Sequence, residues 1–200
     1  GLSYPSQLWN PVWLAPVEPR SMGEFFEQPL AAEELYEEAI GAWESSTQPD
    51  LCSRTLEFFT TIYLQNDILT KVDRASMMVS LESRAVFLDN DLVEFCQRLP
   101  NRWKLHRGTR KYLLRRALAG LVPAAVLNRR KRGFAAPVTS WLRQLPWPEP
   151  QVELPGTRPD AFRRAWRDHQ HGRTDARLLL WTWLALAEWS RQLRSEPATA

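Results

Sequence analysis

The chain has 200 residues, of which 44% are hydrophobic and 24% charged, as expected of a globular domain with a substantial core. It holds no run of about 18 apolar residues, which argues against a membrane-spanning helix. The two cysteines, Cys52 and Cys96, have no CxxC spacing. They argue against a disulfide framework, so we expect a cytoplasmic protein.

The net charge of +3 hides a strong segregation of charge along the chain. Residues 98–132 contain twelve Lys or Arg and no acid, whereas residues 18–57 contain ten acids and two bases. A segment this basic needs an anionic partner or solvent. The chain begins with Gly1 and shows no signal peptide, so we expect a processed product or a piece of a longer protein.

Ten tryptophans and only eight glycines predict a mainly α fold. Residues 1–22 form a Pro/Trp-rich arm, in which four prolines should prevent a regular helix and the tryptophans should fasten the arm to the fold. Residues 145–158 form an exposed Pro-rich loop, and residues 159–195 form the C-terminal helices. Periodicity and capping signals predict helices over residues 31–45, 66–82, 90–99, 109–118, 123–128, 159–170 and 175–193.

The helix over residues 66–82 should have a buried apolar stripe and a charged face roughly opposite to it. The stripe consists of Ile68, Val72, Ala75 and Val79. Asp67, Lys71 and Arg74 share the charged face. That face is either solvated with one ion pair, or turned into a cleft that Met78 and Leu81 partly cover.

Charged residues also interrupt the apolar run at residues 80–89. Glu82, Arg84 and Asp89 either form a buried structural pair or serve a site, because charges in such a run need partners. In the helix that follows, which Asn90 should cap, Cys96 should be a small core residue.

The helix that Thr109 should cap has Arg110 and Lys111 in its first turn, with Arg115 on the same face as Lys111. Each cation in the first turn interacts unfavourably with the helix dipole, which destabilises the helix by about 0.3–1 kcal/mol. They fit either an anion bound at that terminus or a basic surface helix.

The basic loop, residues 129–136, has four consecutive bases followed by Gly133 and Phe134. Gly133 should supply a φ that other residues do not reach, Phe134 should anchor the loop, and Lys131 could reach a phosphate. A nucleic-acid or localisation patch, or a solvated loop, would have the same composition. The three histidines do not share a helix face with carboxylates, so we expect no metal site.

Two stretches together carry a family resemblance. NDILTKVDRASMMVSLESRAVFLDNDLVEF and GTRKYLLRRALAGLVPAAVLNRRKRGFAAPVTSWLR resemble the synthetase domain of glutamine-hydrolysing asparagine synthases, whose superfamily includes β-lactam synthetases and lasso-peptide cyclases. The close match spans about residues 63–143. The resemblance implies that residues 1–200 are the helical C-terminal part of an adenine nucleotide α-hydrolase-like α/β domain.

The resemblance implies an ATP-dependent ligase with Mg²⁺, which activates a carboxylate as an acyl-adenylate for attack by ammonia. Aspartate is the default substrate, and a homo-oligomer is possible. The family's SGGxDS pyrophosphate loop, its GEGSDE-type segment and its glutaminase with a catalytic first cysteine are not in this sequence. We therefore expect upstream synthetase and glutaminase segments as partners, and an isolated chain that is inactive and exposes apolar surface.

The resemblance also assigns residues by position. Lys131 matches the lysine of the family's NRPK-G-F loop and Lys111 the lysine before the YLLR helix, both near the phosphates. We add Arg115, Arg129 and Gly133 to the ATP-binding set. The substrate side of the cleft is implied for Lys71, Asp73, Arg74, Glu82 and Arg84.

Two departures from the family pattern are visible: Ala85-Val86 replaces its Val-Pro, and Arg130 replaces the proline of the lysine loop. A non-catalytic family member that serves as an interaction domain is one alternative. Nucleic-acid binding by residues 98–132 is another, but Trp103 and Tyr112 are its only base-stacking candidates, so we expect no nucleic-acid partner.

Overall fold

The computed structural model describes residues 3–130, 133, 136–148 and 154–195, and these residues are mainly helical. The prediction of a mainly α chain is confirmed. The chain divides into two compact units, described separately below. The terminal unit comprises residues 1–40 and 134–200, and the middle unit comprises residues 41–133. No helix among the described residues is long and apolar enough to span a membrane.

The α-helices in chain order are α1 Trp9–Leu14, α2 Met22–Phe25, α3 Ala32–Leu35, α4 Glu37–Glu44, α5 Leu51–Phe58, α6 Thr70–Met77, α7 Asn90–Arg98, α8 Asn101–Lys104, α9 Tyr112–Ala117, α10 Ala124–Leu127, α11 Val138–Gln144, α12 Pro159–Gln170 and α13 Arg177–Ser195. A π-helix, Phe59–Leu69, joins α5 to α6. Single 3-10 turns are Ser6–Leu8, Pro19–Ser21 and Val86–Leu88. Strands β1 Leu105–His106 and β2 Thr109–Arg110 form a hairpin.

The core of the terminal unit lies where α11, α12 and α13 pack together. Phe162 on α12 stacks on Trp183 of α13 with ring centroids 4.9 Å apart and an interplanar angle of 14°. Phe25 and Phe26 also contact the Phe162 ring, tilted and edge-on, with ring centroids 5.2 and 6.2 Å from it. The predicted helix over residues 159–170 is confirmed, and the last helix lies two residues further along than expected.

The prediction that prolines keep residues 1–22 from forming a helix is wrong, since α1 and two 3-10 turns occur there. Pro11 is the third residue of α1, where the backbone N–H has no partner within the helix, so proline removes no hydrogen bond. The Trp9 Nε1 donates to the Tyr4 carbonyl at 2.6 Å, which is a contact within the arm and does not fasten it to the rest of the fold. Trp13 is 80% exposed, so it does not fasten the arm either.

Helical structure in the middle unit is continuous from α5 through the π-helix to α6, so the predicted helix over residues 66–82 begins and ends earlier than expected. Its stripe is not buried: Val72 is 41% exposed and Ala75 and Val79 are also exposed. Met78 and Leu81 are exposed as well, so the expected partial cover is wrong. Helical periodicity shows which side chains share a face but not what covers that face.

Two expectations for α7 also fail. Its N-cap is Asp89, whose carboxylate accepts a hydrogen bond from the Leu92 N–H at 3.1 Å, and not Asn90. Cys96 is exposed, together with Phe95, so it is not a core residue. The apolar neighbours of Cys96 in the sequence therefore lie on a helix whose side chains are exposed or half-buried in the middle unit.

The N-terminus of α5 is capped by Asp50. Its carboxylate accepts hydrogen bonds from the Ser53 N–H at 3.0 Å and the Ser53 hydroxyl at 2.9 Å. The Asn101 amide, 51 residues away, donates to both of its oxygens at 2.9 and 3.0 Å. One carboxylate thus caps a helix and ties α8 to α5.

We expect acid to weaken this part of the middle unit. Hydrogen bonds from the Ser53 backbone and hydroxyl hold the pKa of Asp50 below its usual value. A lowered folded-state pKa contributes stability above the unfolded value of about 4, and this contribution is lost as the pH falls through the folded value. Urea titrations from pH 6 to pH 2.5 should show a loss that is smaller in Asp50→Asn. Asn caps helices as well as Asp but does not titrate, so identical profiles would contradict the assignment.

Candidate functional site

The predicted α6 residues lie on an exposed helix face. The Lys71 ammonium donates to the Asp67 carboxylate at 3.3 Å, which is the single ion pair of the solvated alternative. Asp73 and Arg74 are exposed and have no side-chain partner among the described residues. Exposed pairs of this kind contribute only about 0.2–1 kcal/mol, so a ligand could recruit Lys71 at little cost.

The segment after α6 turns at Ser80, which adopts a left-handed conformation with φ 58°. Arg84 and Glu82 form an ion pair at 2.9 Å, but both side chains are exposed, so the expected burial is wrong. Asp89 does not pair with Arg84, because its carboxylate caps α7. The residues of this segment are therefore open to a ligand.

Lys111 lies between a β-hairpin and a helix. Arg107 and Gly108 both have positive φ, at 46° and 79°, as in the two-residue turns that match the twist of paired strands. β1 pairs with β2, with Leu105 opposite Arg110.

The predicted helix start at Thr109 is therefore wrong. Thr109 and Arg110 belong to the strand pairing, and Lys111 precedes α9 in a left-handed conformation with φ 55°. Arg110 and Lys111 are not in the first turn of the helix. The helix-dipole argument for an anion at that position does not apply, and Lys111 remains a candidate through its charge.

Tyr112, the first residue of α9, stacks on two aromatic rings of the same unit. Its ring centroid is 4.6 Å from that of His106 and 6.1 Å from that of Trp103. Arg116 lies over the Tyr112 ring at 5.9 Å. Trp103 and Tyr112 are thus half-buried against each other, which does not favour the nucleic-acid alternative.

Arg115 connects two of the candidate segments. Its backbone N–H donates to the Lys111 carbonyl at 2.9 Å, and its guanidinium donates to the Leu127 carbonyl, at the end of α10, at 2.6 Å. Arg129 lies two residues after the end of α10 and is exposed. The side chain of Arg115 is therefore already engaged with backbone.

The basic loop is described only in part. Lys131, the residue on which the site prediction depends most, lies outside the described residues, as does Phe134. Gly133 is described, and its φ is not positive, so the expectation of a special backbone conformation is wrong. A Cβ added at Gly133 would meet open space. Its backbone therefore does not require glycine.

The site residues fall into three groups: the α6 face, the Glu82–Arg84 pair, and the Lys111 segment joined by Arg115 to the end of α10. Among the described residues, no hydrogen bond or ion pair joins one group to another. Sequence reasoning missed the hairpin and the Asp50–Asn101 link. The signal for the hairpin was a Gly-containing two-residue turn at residues 107–108.

Most of the cations that the structure describes in residues 98–132 form no ion pair with an acid. Arg98 pairs with Glu94 at 2.9 Å. No ion pair forms, among the described residues, at Arg102, Arg107, Arg110, Lys111, Arg129 or Arg130. No acid occurs in the sequence from residue 95 to residue 148. An exposed, uncompensated set of cations fits a polyphosphate, which carries the opposite charge at high density.

Comparison with known proteins extends these observations. The asparagine synthase family profile matches residues 7–191. A putative glutamine-hydrolysing asparagine synthetase of Mycobacterium tuberculosis is 38% identical over 162 residues, which cover 78% of this chain and 24% of the relative. Glutamine-hydrolysing asparagine synthetase 1 of Bacillus subtilis is 44% identical over 81 residues, 40% of this chain and 13% of the relative. The chain thus matches about a quarter of the mycobacterial relative. No solved structure matches significantly.

Proposed function

The chain belongs to the asparagine synthase family, and on this premise we propose that it supplies the cationic side of an ATP-dependent amide-forming site. The observation that carries the proposal is the set of exposed, unpaired cations around Lys111 and after α10. Cations without acidic partners in one acid-free stretch repel one another unless an anion binds between them. A triphosphate or pyrophosphate is such an anion.

In the proposed reaction, the carboxylate of the substrate, aspartate by default, attacks the α-phosphorus of ATP. An acyl-adenylate forms and pyrophosphate leaves, after which ammonia attacks the acyl carbon and AMP leaves. Lys131 and Lys111 offset the negative charge that develops on the phosphates. Magnesium bound to the phosphates would supply further neutralisation.

We assign the carboxylate substrate to the α6 face and to the Glu82–Arg84 segment. Arg74 is free to pair with a carboxylate, and Arg84 and Lys71 are held only by exposed ion pairs. Exchanging such a pair for a substrate carboxylate costs little. Glu82 and Asp73 would bind the substrate amino group.

An interaction domain without catalytic activity is the second candidate. It is favoured by the large apolar side chains that the chain exposes, among them Trp181 and Trp189 on α13 and Met78 after α6. Exposed apolar surface of this kind marks contacts with other protein segments. The two candidate functions predict different results when the chain replaces part of a working enzyme: a catalytic chain supports amide formation, and an interaction domain does not.

The test is a chimera in which this chain replaces the matching part of Bacillus subtilis asparagine synthetase 1. We expect the chimera to form asparagine and to release AMP and pyrophosphate. Lys111→Ala should slow AMP release on the order of tenfold or more, since a charge-assisted contact to phosphate is lost. Lys104→Ala is the control, because the Lys104 ammonium donates to the Gln97 carbonyl at 3.3 Å and Lys104 is not among the candidate site residues. A folded chimera that hydrolyses glutamine without releasing AMP would support the interaction domain instead.

A further inference from the structure

We infer that Arg115 is a positioning residue, which fixes the position of the start of the basic loop relative to Lys111 rather than binding a ligand itself. Its guanidinium donates to the Leu127 carbonyl, just before the loop, and its backbone N–H makes the ordinary helical hydrogen bond to the Lys111 carbonyl at the start of α9. Only the guanidinium contact depends on the side chain, and it joins the helix that follows Lys111 to the end of α10. The tether stands on these contacts alone. Its consequence for catalysis rests on the proposed function.

The geometry of the tether is that of a strong hydrogen bond. The Arg115 Nη1 lies 2.6 Å from the Leu127 carbonyl oxygen, and Arg115 is half-buried. A charged donor on a partly buried carbonyl forms a stronger bond than a neutral pair does. The side chain is therefore fixed by a contact within the protein and is not available to a phosphate without breaking that contact.

The Leu127 carbonyl needs such a donor. It belongs to the last turn of α10, where carbonyls have no partner within the helix. Basic side chains commonly satisfy these carbonyls. Because α10 has only four residues, it cannot be stable by itself and depends on contacts of this kind. Loss of the Arg115 guanidinium would release the end of α10 and the residues that follow it.

The neighbouring Arg116 provides a matched control. It has the same chemistry on the same helix, but its guanidinium lies over the Tyr112 ring and approaches the Tyr112 hydroxyl at 3.5 Å. It makes no hydrogen bond to α10. Removing either arginine changes net charge and helix composition alike, so a difference between the two variants isolates the tether.

Limited proteolysis with trypsin measures the tether directly, because the loop after α10 contains four consecutive cleavage sites. We expect Arg115→Ala to increase the rate of cleavage within residues 129–132 on the order of tenfold, because the end of α10 is no longer held by the guanidinium. Arg115→Lys should be intermediate, since a shorter donor is retained, and Arg116→Ala should match the wild type. Fragments are identified by mass spectrometry and compared with cleavage after Arg173 in the terminal unit.

Equal rates in Arg115→Ala and Arg116→Ala would overturn the inference, as would an increase that is the same at Arg173. Should Arg115→Ala fail to fold, Arg115→Gln replaces it in the test, because the glutamine amide is too short to reach the Leu127 carbonyl. Cleavage of Arg115→Gln at the wild-type rate would then overturn the tether.

Adding pyrophosphate to the wild-type chain is an independent experiment. Protection of the loop supports the proposed phosphate site, and lack of protection counts against that site without affecting the tether.

In the active chimera, Arg115→Ala should lower kcat for AMP release about tenfold or more and change the KM for ATP by a smaller factor, with partial recovery in Arg115→Lys. A ligand-binding arginine would instead raise KM strongly and leave loop cleavage unchanged. That pattern would return Arg115 to the ATP-binding set.

Discussion

Replacing Lys131 with alanine should slow amide synthesis by about 100-fold to 1,000-fold and leave glutamine hydrolysis close to the wild-type rate. The expected loss is that of removing one charge-stabilising group from a transition state. Lys131 matches the family's loop lysine and lies among four consecutive bases, where a phosphate would find the highest charge density. The family resemblance implies that glutamine hydrolysis takes place at a separate site, so we expect it to need no phosphate contact.

The measurement compares AMP release with glutamate release in the same chimera. Lys131→Arg should recover part of the synthesis, because the charge is kept but its position changes. Lys104→Ala again serves as the control for loss of a lysine elsewhere in the middle unit. Synthesis at the wild-type rate in Lys131→Ala would show that the carry-over of this residue from the family is wrong.

The helix over residues 159–170 could be predicted to the residue because its local signals agree with its packing. Pro159 suits the first turn, and Phe162, Trp166 and His169 recur at helical spacing and are all buried. Burial on α6 could not be predicted in the same way. Val72 and Val79 recur at the same helical spacing, but both are exposed. Helical spacing shows that residues share a face and does not show whether another element covers that face.

The start of α9 shows two local rules in competition. Thr109 suits a helix cap, but Gly108 and Arg107 form a turn that pairs residues 105–106 with residues 109–110. Thr109 therefore belongs to the strand pair and not to the helix. The chain changes direction at Lys111, which adopts a left-handed conformation before α9.

The residue types of the candidate site could be recognised from the sequence, whereas their partners could not. The helical spacing of Arg115 with Lys111 suggests that both bind ATP, yet the Arg115 guanidinium contacts Leu127, twelve residues away on another short helix. Contacts between short helices follow no sequence period, so only the structure reveals them.

Phe162→Ala should destabilise the terminal unit by about 3–5 kcal/mol, which is a large part of the 5–15 kcal/mol that typically holds a domain together. Phe162 is 1% exposed and contacts Trp183, Phe25 and Phe26 through its ring. Its removal forfeits these contacts and leaves a void.

The void should be costly because the site cannot close over it. Phe162 already lines an apolar cavity of about 230 Å³, together with residues 15–17 after α1, Met22 of α2 and residues of α13. Truncation at Phe162 would enlarge this cavity, and the cost of such changes rises with the volume that remains unfilled. Stacking with Trp183 adds a contribution beyond the buried area.

Urea unfolding followed by tryptophan fluorescence measures the effect, because eight of the ten tryptophans belong to the terminal unit. Phe95→Ala on α7 is the matched control: its ring is 55% exposed, so its loss should change stability by no more than about 0.5 kcal/mol. Equal shifts of the urea midpoint in the two variants would show that the aromatic cluster around Phe162 is not the core of the terminal unit. A large shift in Phe162→Ala alone would locate the stability of that unit in the contacts between α12 and α13.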